Sequence, residues 1–164
     1  MTIAELNMLD HSAFVNALGA VFEHSRWVPD RAWAGRPFAD IEALHAAMTH
    51  QVEKASFTEK LRLLQAHPDL GAQVHLSPAS ATEQASAGLG SLTSSEFEQL
   101  QLLNSAYRSH FGFPFLLAVK GRTKYDVLRA LQTRITALPE DEYREALQQV
   151  YRIARFRLEY LIQS

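Results

Sequence analysis

The amino-acid sequence predicts an all-α protein, folded as a single-domain helical bundle of roughly seven to nine helices. Apolar residues recur at helical spacing along most of the chain, strand-like alternation is missing, and helix-start signals recur from one end to the other. The chain has 164 residues, of which 47% are hydrophobic, which is enough to build a real core. We therefore expect one domain that spans residues 1–164.

Residues that commonly cap or open a helix precede each apolar segment of the first half of the chain. The predicted helix starts are Asp10, Pro29, Asp40 and Ser56. The helix after Asp10 carries Phe14, Leu18, Val21 and Phe22 on its apolar face. The helix opened by Pro29 is short and ends near Trp33, whereas the one from Asp40 continues past Met48.

A capping-box pattern, Ser or Thr followed three residues later by an acid, recurs along the chain. The four pairs are Ser56–Glu59, Ser80–Glu83, Thr93–Glu96 and Thr123–Asp126. The last helix is expected to start near Pro139. Its apolar residues form one stripe, made of Leu147, Val150, Ala154, Leu158 and Leu161.

Composition excludes several classes of function. The net charge of −2 and the pI of about 6.4 give no basic face, so we expect no nucleic-acid partner. No apolar run approaches the roughly 20 residues that span a membrane. Cysteine is absent, which excludes disulfides and zinc–thiolate sites. Residues 1–9 contain no basic residue and do not resemble a signal peptide. We expect a soluble, cytoplasmic protein.

The segment His67-Pro68-Asp69-Leu70-Gly71 places an imidazole directly before a proline. Proline disfavours the helical conformation of the residue before it, so His67 should leave the preceding helix with a stiff backbone. Because histidine titrates near neutral pH, such a residue suits proton transfer. The alternative is a helix stop and turn with His67 as an exposed cap, and the pentapeptide alone favours that alternative.

Three further segments follow in order. They are Ser80-Ala81-Thr82-Glu83-Gln84 with Ala87-Gly88-Leu89, Asn104-Ser105-Ala106-Tyr107-Arg108 with Phe111-Gly112-Phe113-Pro114-Phe115, and Ile153-Ala154-Arg155-Phe156-Arg157-Leu158. With the His67 segment, they resemble the family of 2-oxo-4-hydroxy-4-carboxy-5-ureidoimidazoline (OHCU) decarboxylases. The resemblance covers nearly the whole chain. It implies a helical fold, decarboxylation of OHCU to (S)-allantoin in urate degradation, no metal or organic cofactor, and a homodimer.

The resemblance also implies which residues form the active site. His67, Glu83 and Arg157 match the catalytic positions, with Glu83 paired to the histidine. The positions that match substrate-binding residues are Pro68, Ser80, Gln84, Phe113 and Phe115. The expected chemistry is that Arg157 orients an anionic oxygen of the substrate while His67, aided by Glu83, moves the protons.

Two of these residues also have structural interpretations. From spacing alone, Glu83 is more simply the acid of a capping box with Ser80. Arg157 lies roughly 60° from the apolar stripe of the last helix, and could pack its stem on the core with its head in water. Arg155 and Glu159 are spaced as a surface ion pair. The resemblance favours the functional interpretation of Glu83 and Arg157.

The aromatic segment after the Asn104 helix is typical of core, and Phe115 is expected to be buried. Gly112 and Pro114 should end the helix that carries Asn104 and Tyr107. Those two polar residues are either supporting residues of the site or ordinary helix-surface groups. The resemblance suggests that the loop, including Phe113, forms a pocket wall.

Other functions stay open at this point. His67 and His75 with Asp69 between them could imitate a metal site, but their spacing matches no ligand pattern, so we expect none. A different cofactor-free lyase or hydrolase of ureides is one alternative. The other is a non-catalytic helical binding module, in which His67, Glu83 and Arg157 would not converge on one pocket.

Overall fold

A computed structural model describes residues 1–72 and 76–163 of the chain. Nine α-helices and one 3-10 helix form in this part, and no strand occurs within the described ranges. The all-α prediction is therefore confirmed, with a helix number in the predicted range. The chain divides into two compact units, Met1–Ala66 with Tyr151–Ser164, and His67–Val150. The expectation of a single domain over residues 1–164 stays a prediction.

The first unit contains the N-terminal helices and the end of the last one. Its elements are α1 (Ile3–Met8), α2 (His11–Leu18), α3 (Trp27–Ala32), a 3-10 turn (Trp33–Gly35), α4 (Ile41–Glu53), α5 (Phe57–Gln65) and the last part of α9 (Pro139–Leu161). Helix α3 packs against both α2 and α4. Leu44, Met48 and Val52 are fully buried, because their spacing places them on one face of α4.

Most helix starts of the first unit were predicted correctly. The side chains of Asp10, Asp40 and Ser56 each accept a hydrogen bond from an amide in the first turn of the helix that follows. The expected start at Pro29 is wrong, since α3 begins at Trp27. The helix after Asp10 is shorter than predicted, because α2 ends at Leu18, before Val21 and Phe22. Helix α1 was missed, although Thr2 and Glu5 form a complete capping box of the same pattern.

The second unit contains three helices and the first part of α9. The helices are α6 (Pro78–Ser86), α7 (Ser94–Phe111) and α8 (Lys124–Arg134). The capping boxes of α7 and α8 form as predicted, at Thr93–Glu96 and Thr123–Asp126. Helix α7 ends at Gly112, which adopts a left-handed conformation with φ of 83°. The chain then continues without regular structure from residue 113 to residue 119, fully buried.

Candidate functional site

His67 is the first residue of the second unit and is buried. It begins the loop of residues 67–72, called here the His67 loop. Helix α5 ends at Gln65, as the proline at position 68 predicts. The imidazole is not an exposed cap, because His67 is only 5% exposed. The interpretation of this segment as a helix stop is thus confirmed, and its interpretation as an exposed cap is wrong.

The peptide group between Leu70 and Gly71 is clamped at both ends by side chains. Its carbonyl oxygen accepts a hydrogen bond from Asn104 Nδ2 at 2.8 Å, and its N–H donates to Gln84 Oε1 at 2.8 Å. Asn104 comes from α7 and Gln84 from α6, and both side chains are buried. Because a peptide group is planar, fixing its two polar atoms fixes the path of the chain just beyond His67.

Gly71 is needed at this point of the loop. Its φ is 81°, a left-handed conformation that glycine adopts without strain. A Cβ atom at this position would lie 2.5 Å from Leu100 Cδ2 of α7. A larger residue here would force the Leu100 side chain to shift and would strain the backbone. At its outer side, Arg108 donates to Asp69 Oδ1 at 2.9 Å.

The motif residues Ser80, Glu83 and Gln84 lie on one face of α6. The predicted capping box of Ser80 and Glu83 is wrong: the N-cap is Ser77, Pro78 opens the helix, and both motif residues lie inside it. Ser80 and Gln84 are buried and Glu83 is half-buried. Spacings of three and four residues bring these side chains onto one surface of the helix. The α6 face thus presents a hydroxyl, a carboxylate and an amide.

Phe113 and Phe115 lie in the buried segment after α7. Phe115 is fully buried, as predicted, and its ring contacts Tyr107 edge-on with ring centres 5.4 Å apart. The Phe113 ring makes similar contacts with Tyr107 and with Tyr143. With both rings enclosed by aromatic neighbours, the atoms of this segment best suited to a polar ligand are its backbone amides and carbonyls.

The backbone of that segment is itself held by side chains. Arg134 Nη1 donates to the Leu116 carbonyl at 2.5 Å, and the Ala118 amide donates to Gln149 Oε1 at 2.9 Å. These contacts replace the ladder of hydrogen bonds that a helix or strand would provide. Neither Arg134 nor Gln149 carries a sequence signal that would have predicted this role.

Tyr107 joins a buried polar network in the second unit. Its hydroxyl donates to Glu142 Oε1 at 2.5 Å, and Arg134 Nε donates to the same oxygen at 2.7 Å. Burial, with the adjacent Glu142 carboxylate, raises the pKa of Tyr107 far above its usual range, so the phenol stays protonated as a donor. Asn104 and Tyr107 are both buried, so neither is an ordinary helix-surface group.

Arg157 lies in the first unit and forms a buried ion pair. Its Nη1 lies 2.8 Å from Glu23 Oε2 and donates to the Ala20 carbonyl at 3.0 Å. The Arg157 side chain is 7% exposed and that of Glu23 is 1% exposed, so the head of Arg157 is not in water. The solvated interpretation of this arginine is wrong. Arg155, by contrast, pairs with Glu159 on the surface, as predicted.

Glu23 was missed by sequence reasoning. It lies in the connection between α2 and α3, outside any periodic segment, and an isolated acid there gives no signal of burial. The next residue, His24, has a φ of 46°, an unusual conformation for a residue other than glycine. Such local strain is found where surrounding contacts over-determine the backbone.

A cavity of about 750 Å³ lies beside α7, and its described lining is the Asp69–Ala72 loop together with α7 residues between Phe97 and Ser105. None of the predicted active-site side chains is among these lining residues. Within the described ranges, no group of three His, Asp or Glu side chains is arranged to hold a metal ion. His75, which entered the metal alternative, lies outside the described residues. No described helix is long and apolar enough to cross a membrane.

The described chain is thus all-α, with a buried histidine in a loop that is hydrogen-bonded to a polar helix face. Comparison with known proteins identifies its relatives. The sequence model of the OHCU decarboxylase family matches residues 7–159. The chain is 44% identical to the 2-oxo-4-hydroxy-4-carboxy-5-ureidoimidazoline decarboxylase of Haloferax volcanii, over 96% of this chain and 94% of that protein. This chain belongs to the OHCU decarboxylase family.

Two further similarities agree with this assignment. The uric acid degradation bifunctional protein PucL of Bacillus subtilis is 44% identical over 98% of this chain, which corresponds to 33% of that longer protein. A crystal structure of (S)-allantoin synthase superimposes with a TM-score of 0.79 at 38% identity, covering 99% of this chain and 54% of that one. The segment similar to this chain thus makes up nearly all of some relatives and only a part of others.

Proposed function

We propose that this protein is a carboxy-lyase that converts OHCU to (S)-allantoin in urate degradation. The observation that carries the proposal is the 44% identity to an OHCU decarboxylase over nearly the full length of both chains. The buried His67 loop and the polar face of α6 support the same reaction, because decarboxylation with proton transfer needs one positioned acid–base group.

The chemistry of the substrate requires no electron sink outside the substrate itself. The carboxylate is attached to a carbon that also bears a hydroxyl and neighbours an imine-type carbon. When the bond to the carboxylate breaks, carbon dioxide leaves, the electron pair forms a double bond to the imine-type carbon, and the imine nitrogen takes up one proton. The resulting enol then loses its hydroxyl proton and gains a proton on the adjacent carbon, which becomes the stereocentre of allantoin.

We assign the proton transfers to His67, aided by Glu83. A carboxylate near an imidazole favours its protonated form and fixes its ring, so Glu83 would let His67 alternate between base and acid. Protonation from one face gives a single enantiomer. The stiff loop that holds His67 supports this assignment, because a positioned group transfers protons more efficiently than a mobile one.

We assign substrate binding to the remaining predicted residues. Arg157 would bind an anionic oxygen of the substrate, since a guanidinium matches a carboxylate in shape and charge. Ser80, the amide nitrogen of Gln84 and the backbone near Phe113 and Phe115 would hold the ureido and ring groups. Pro68 would present an apolar surface to the substrate beside His67. Gln84 has a second role, because its Oε1 accepts a hydrogen bond from the Gly71 amide.

We further propose that the enzyme acts without metal or organic cofactor, as a homodimer in the cytoplasm. The reaction itself supports the first part, because the electrons are accepted within the substrate. A chain without cysteine has no thiolate ligand for a soft metal and no disulfide that would require an oxidising compartment. Sedimentation equilibrium tests the dimer, and turnover after treatment with a chelator tests the metal-free reaction.

The reaction is tested by following the product as OHCU is formed. Urate oxidase and hydroxyisourate hydrolase generate OHCU in the cuvette, and circular dichroism of the mixture follows optically active allantoin. We expect rapid formation of (S)-allantoin with one carbon dioxide released per molecule. Another ureide lyase or hydrolase would give a different product, and a binding module would leave racemic allantoin forming at the uncatalysed rate. Either outcome would contradict the proposal.

A further inference from the structure

We propose that Asn104 is a positioning residue for His67, acting through the peptide group between Leu70 and Gly71. This inference rests on the proposed function, in which His67 transfers protons. Asn104 would not touch the substrate. It would fix the loop on which the histidine is mounted, so that the imidazole meets the reacting carbon at one distance and one angle.

The first argument is the geometry of the clamp. Asn104 Nδ2 holds the carbonyl of Leu70 while Gln84 Oε1 holds the amide of the same peptide group, each at 2.8 Å. One planar group bound at both ends from two different helices is restricted in its rotation. Pro68 restricts the backbone on the other side, next to His67. Within residues 67–71, only Asp69 has two backbone torsions that neither Pro68 nor the clamp on the Leu70–Gly71 peptide restricts.

The second argument is the cost of placing an asparagine here. Asn104 is 5% exposed, and its Oδ1 has no hydrogen-bond partner among the described residues. A buried acceptor without a partner destabilises a protein, so packing alone would favour an apolar residue of the same shape. The amide nitrogen of Asn104, in contrast, donates to the Leu70 carbonyl, and this hydrogen bond is the structural role of the side chain.

The third argument is the sensitivity of proton transfer to position. A displacement of about 1 Å in a reacting group can lower a rate by about 100-fold. Residues that lock the supporting loop thus matter for turnover although they are remote from the substrate. Loss of the Asn104 contact would leave Gln84 as the one described side chain that holds this peptide group, and the loop could rotate about it.

The experiment compares Asn104→Leu with a matched variant, Asn7→Leu. Leucine has the shape of asparagine without its donor. Asn7 makes the same type of contact in the first unit, since its Nδ2 donates to the Phe38 carbonyl at 2.8 Å and its Oδ1 accepts from the Phe38 amide at 2.9 Å. Both variants lose a side-chain amide that holds the backbone, but only Asn104 holds the His67 loop.

We expect Asn104→Leu to lower kcat by about 10- to 100-fold while KM stays within about threefold of the wild type. The NMR signal of the His67 ring should broaden or split, as the loop samples several positions. Asn7→Leu should lower the melting temperature yet keep kcat within about twofold. A kcat for Asn104→Leu that stays within twofold, with an unchanged His67 signal, would overturn the proposal.

A second variant covers the case in which Asn104→Leu does not fold. Asn104→Ser keeps a small polar side chain that is too short to reach Leu70, and it is assayed at a temperature where its far-ultraviolet circular dichroism equals that of the wild type. The same fall in kcat is expected, and unchanged turnover would be equally decisive against the proposal. If the wild type itself produces no (S)-allantoin, the proposed function fails, whereas an active wild type with active Asn104 variants refutes only the positioning role.

Discussion

The carboxylate of Glu23 and the guanidinium of Arg157 form an ion pair from which water is almost entirely excluded, with 2.8 Å between Oε2 and Nη1. Burying a charge costs free energy, and each of these two charges offsets part of the cost of burying the other. For a protein proposed to bind an anionic substrate, the pair has a second consequence. Glu23 holds the arginine in one orientation, and the carbonyl of Ala20 holds the same nitrogen at 3.0 Å.

Replacing Glu23 should therefore destabilise the protein strongly. In Glu23→Ala the buried charge of Arg157 loses its partner, and we expect a loss of about 3–5 kcal/mol in the free energy of unfolding, measured by chemical denaturation. Glu42→Ala is the matched control. Glu42 pairs with Arg155, which lies in α9 like Arg157, but the side chain of Glu42 is 75% exposed. The control should lose less than about 1 kcal/mol. Equal losses in the two variants would show that burial of the Glu23–Arg157 pair has no special role.

Gly71→Ala tests how closely the His67 loop approaches α7. The added methyl group would clash with Leu100 and would also strain a backbone with φ of 81°. Gly121→Ala is the control, since Gly121 has φ of 77° and open space around its Cα. We expect the control to lose about 1–2 kcal/mol from backbone strain alone. Gly71→Ala should lose about 1–3 kcal/mol more because of the clash. Denaturation curves that do not distinguish the variants would contradict the observed packing.

The stability of the second unit should depend on the charge of Glu96. A hydrogen bond from Lys124, with the capping bond from the Thr93 amide, holds the pKa of Glu96 below its usual range. A carboxyl whose pKa is lowered by folding stabilises the protein above its unfolded-state pKa, and this stabilisation is lost as the pH falls through the lowered value.

Glu96→Gln removes the charge but keeps an oxygen that can accept the capping bond. The variant should unfold at lower urea concentration than the wild type at pH 7, and the two midpoints should converge as the pH falls toward about 3. Glu98→Gln, at an exposed acid of the same helix, serves as the control and should show a small effect at both pH values. A difference between wild type and Glu96→Gln that persists at low pH would contradict the role of the Glu96–Lys124 ion pair.

Local signals predicted the helices well and the site only in part. The Thr93–Glu96 box formed as predicted because both partners lie within one turn. The same pattern failed at Ser80–Glu83, since Ser77 followed by Pro78 gives a stronger start three residues earlier. Helical periodicity placed Arg157 at the edge of the core. It could not predict Glu23, because a contact between segments far apart in sequence leaves no periodic trace.

The clamp on the Leu70–Gly71 peptide shows the same limit. The sequence shows Asn104 and Gln84 as polar residues in helical segments. That both bind the same peptide group depends on how α6 and α7 pack around the loop. Likewise, the buried segment from residue 113 to residue 119 is recognisable as apolar. The side chains that satisfy its backbone, such as Gln149, come from a helix that begins twenty residues later.

The most direct test of this account is the rate of (S)-allantoin formation by His67→Ala and His67→Asn, followed by circular dichroism with freshly generated OHCU. We predict that both variants fold and that optically active product forms no faster than without enzyme. His50→Ala, at an exposed histidine of α4, should keep wild-type activity. Near-normal stereospecific turnover by either His67 variant would contradict the assignment of His67 as the proton-transfer residue.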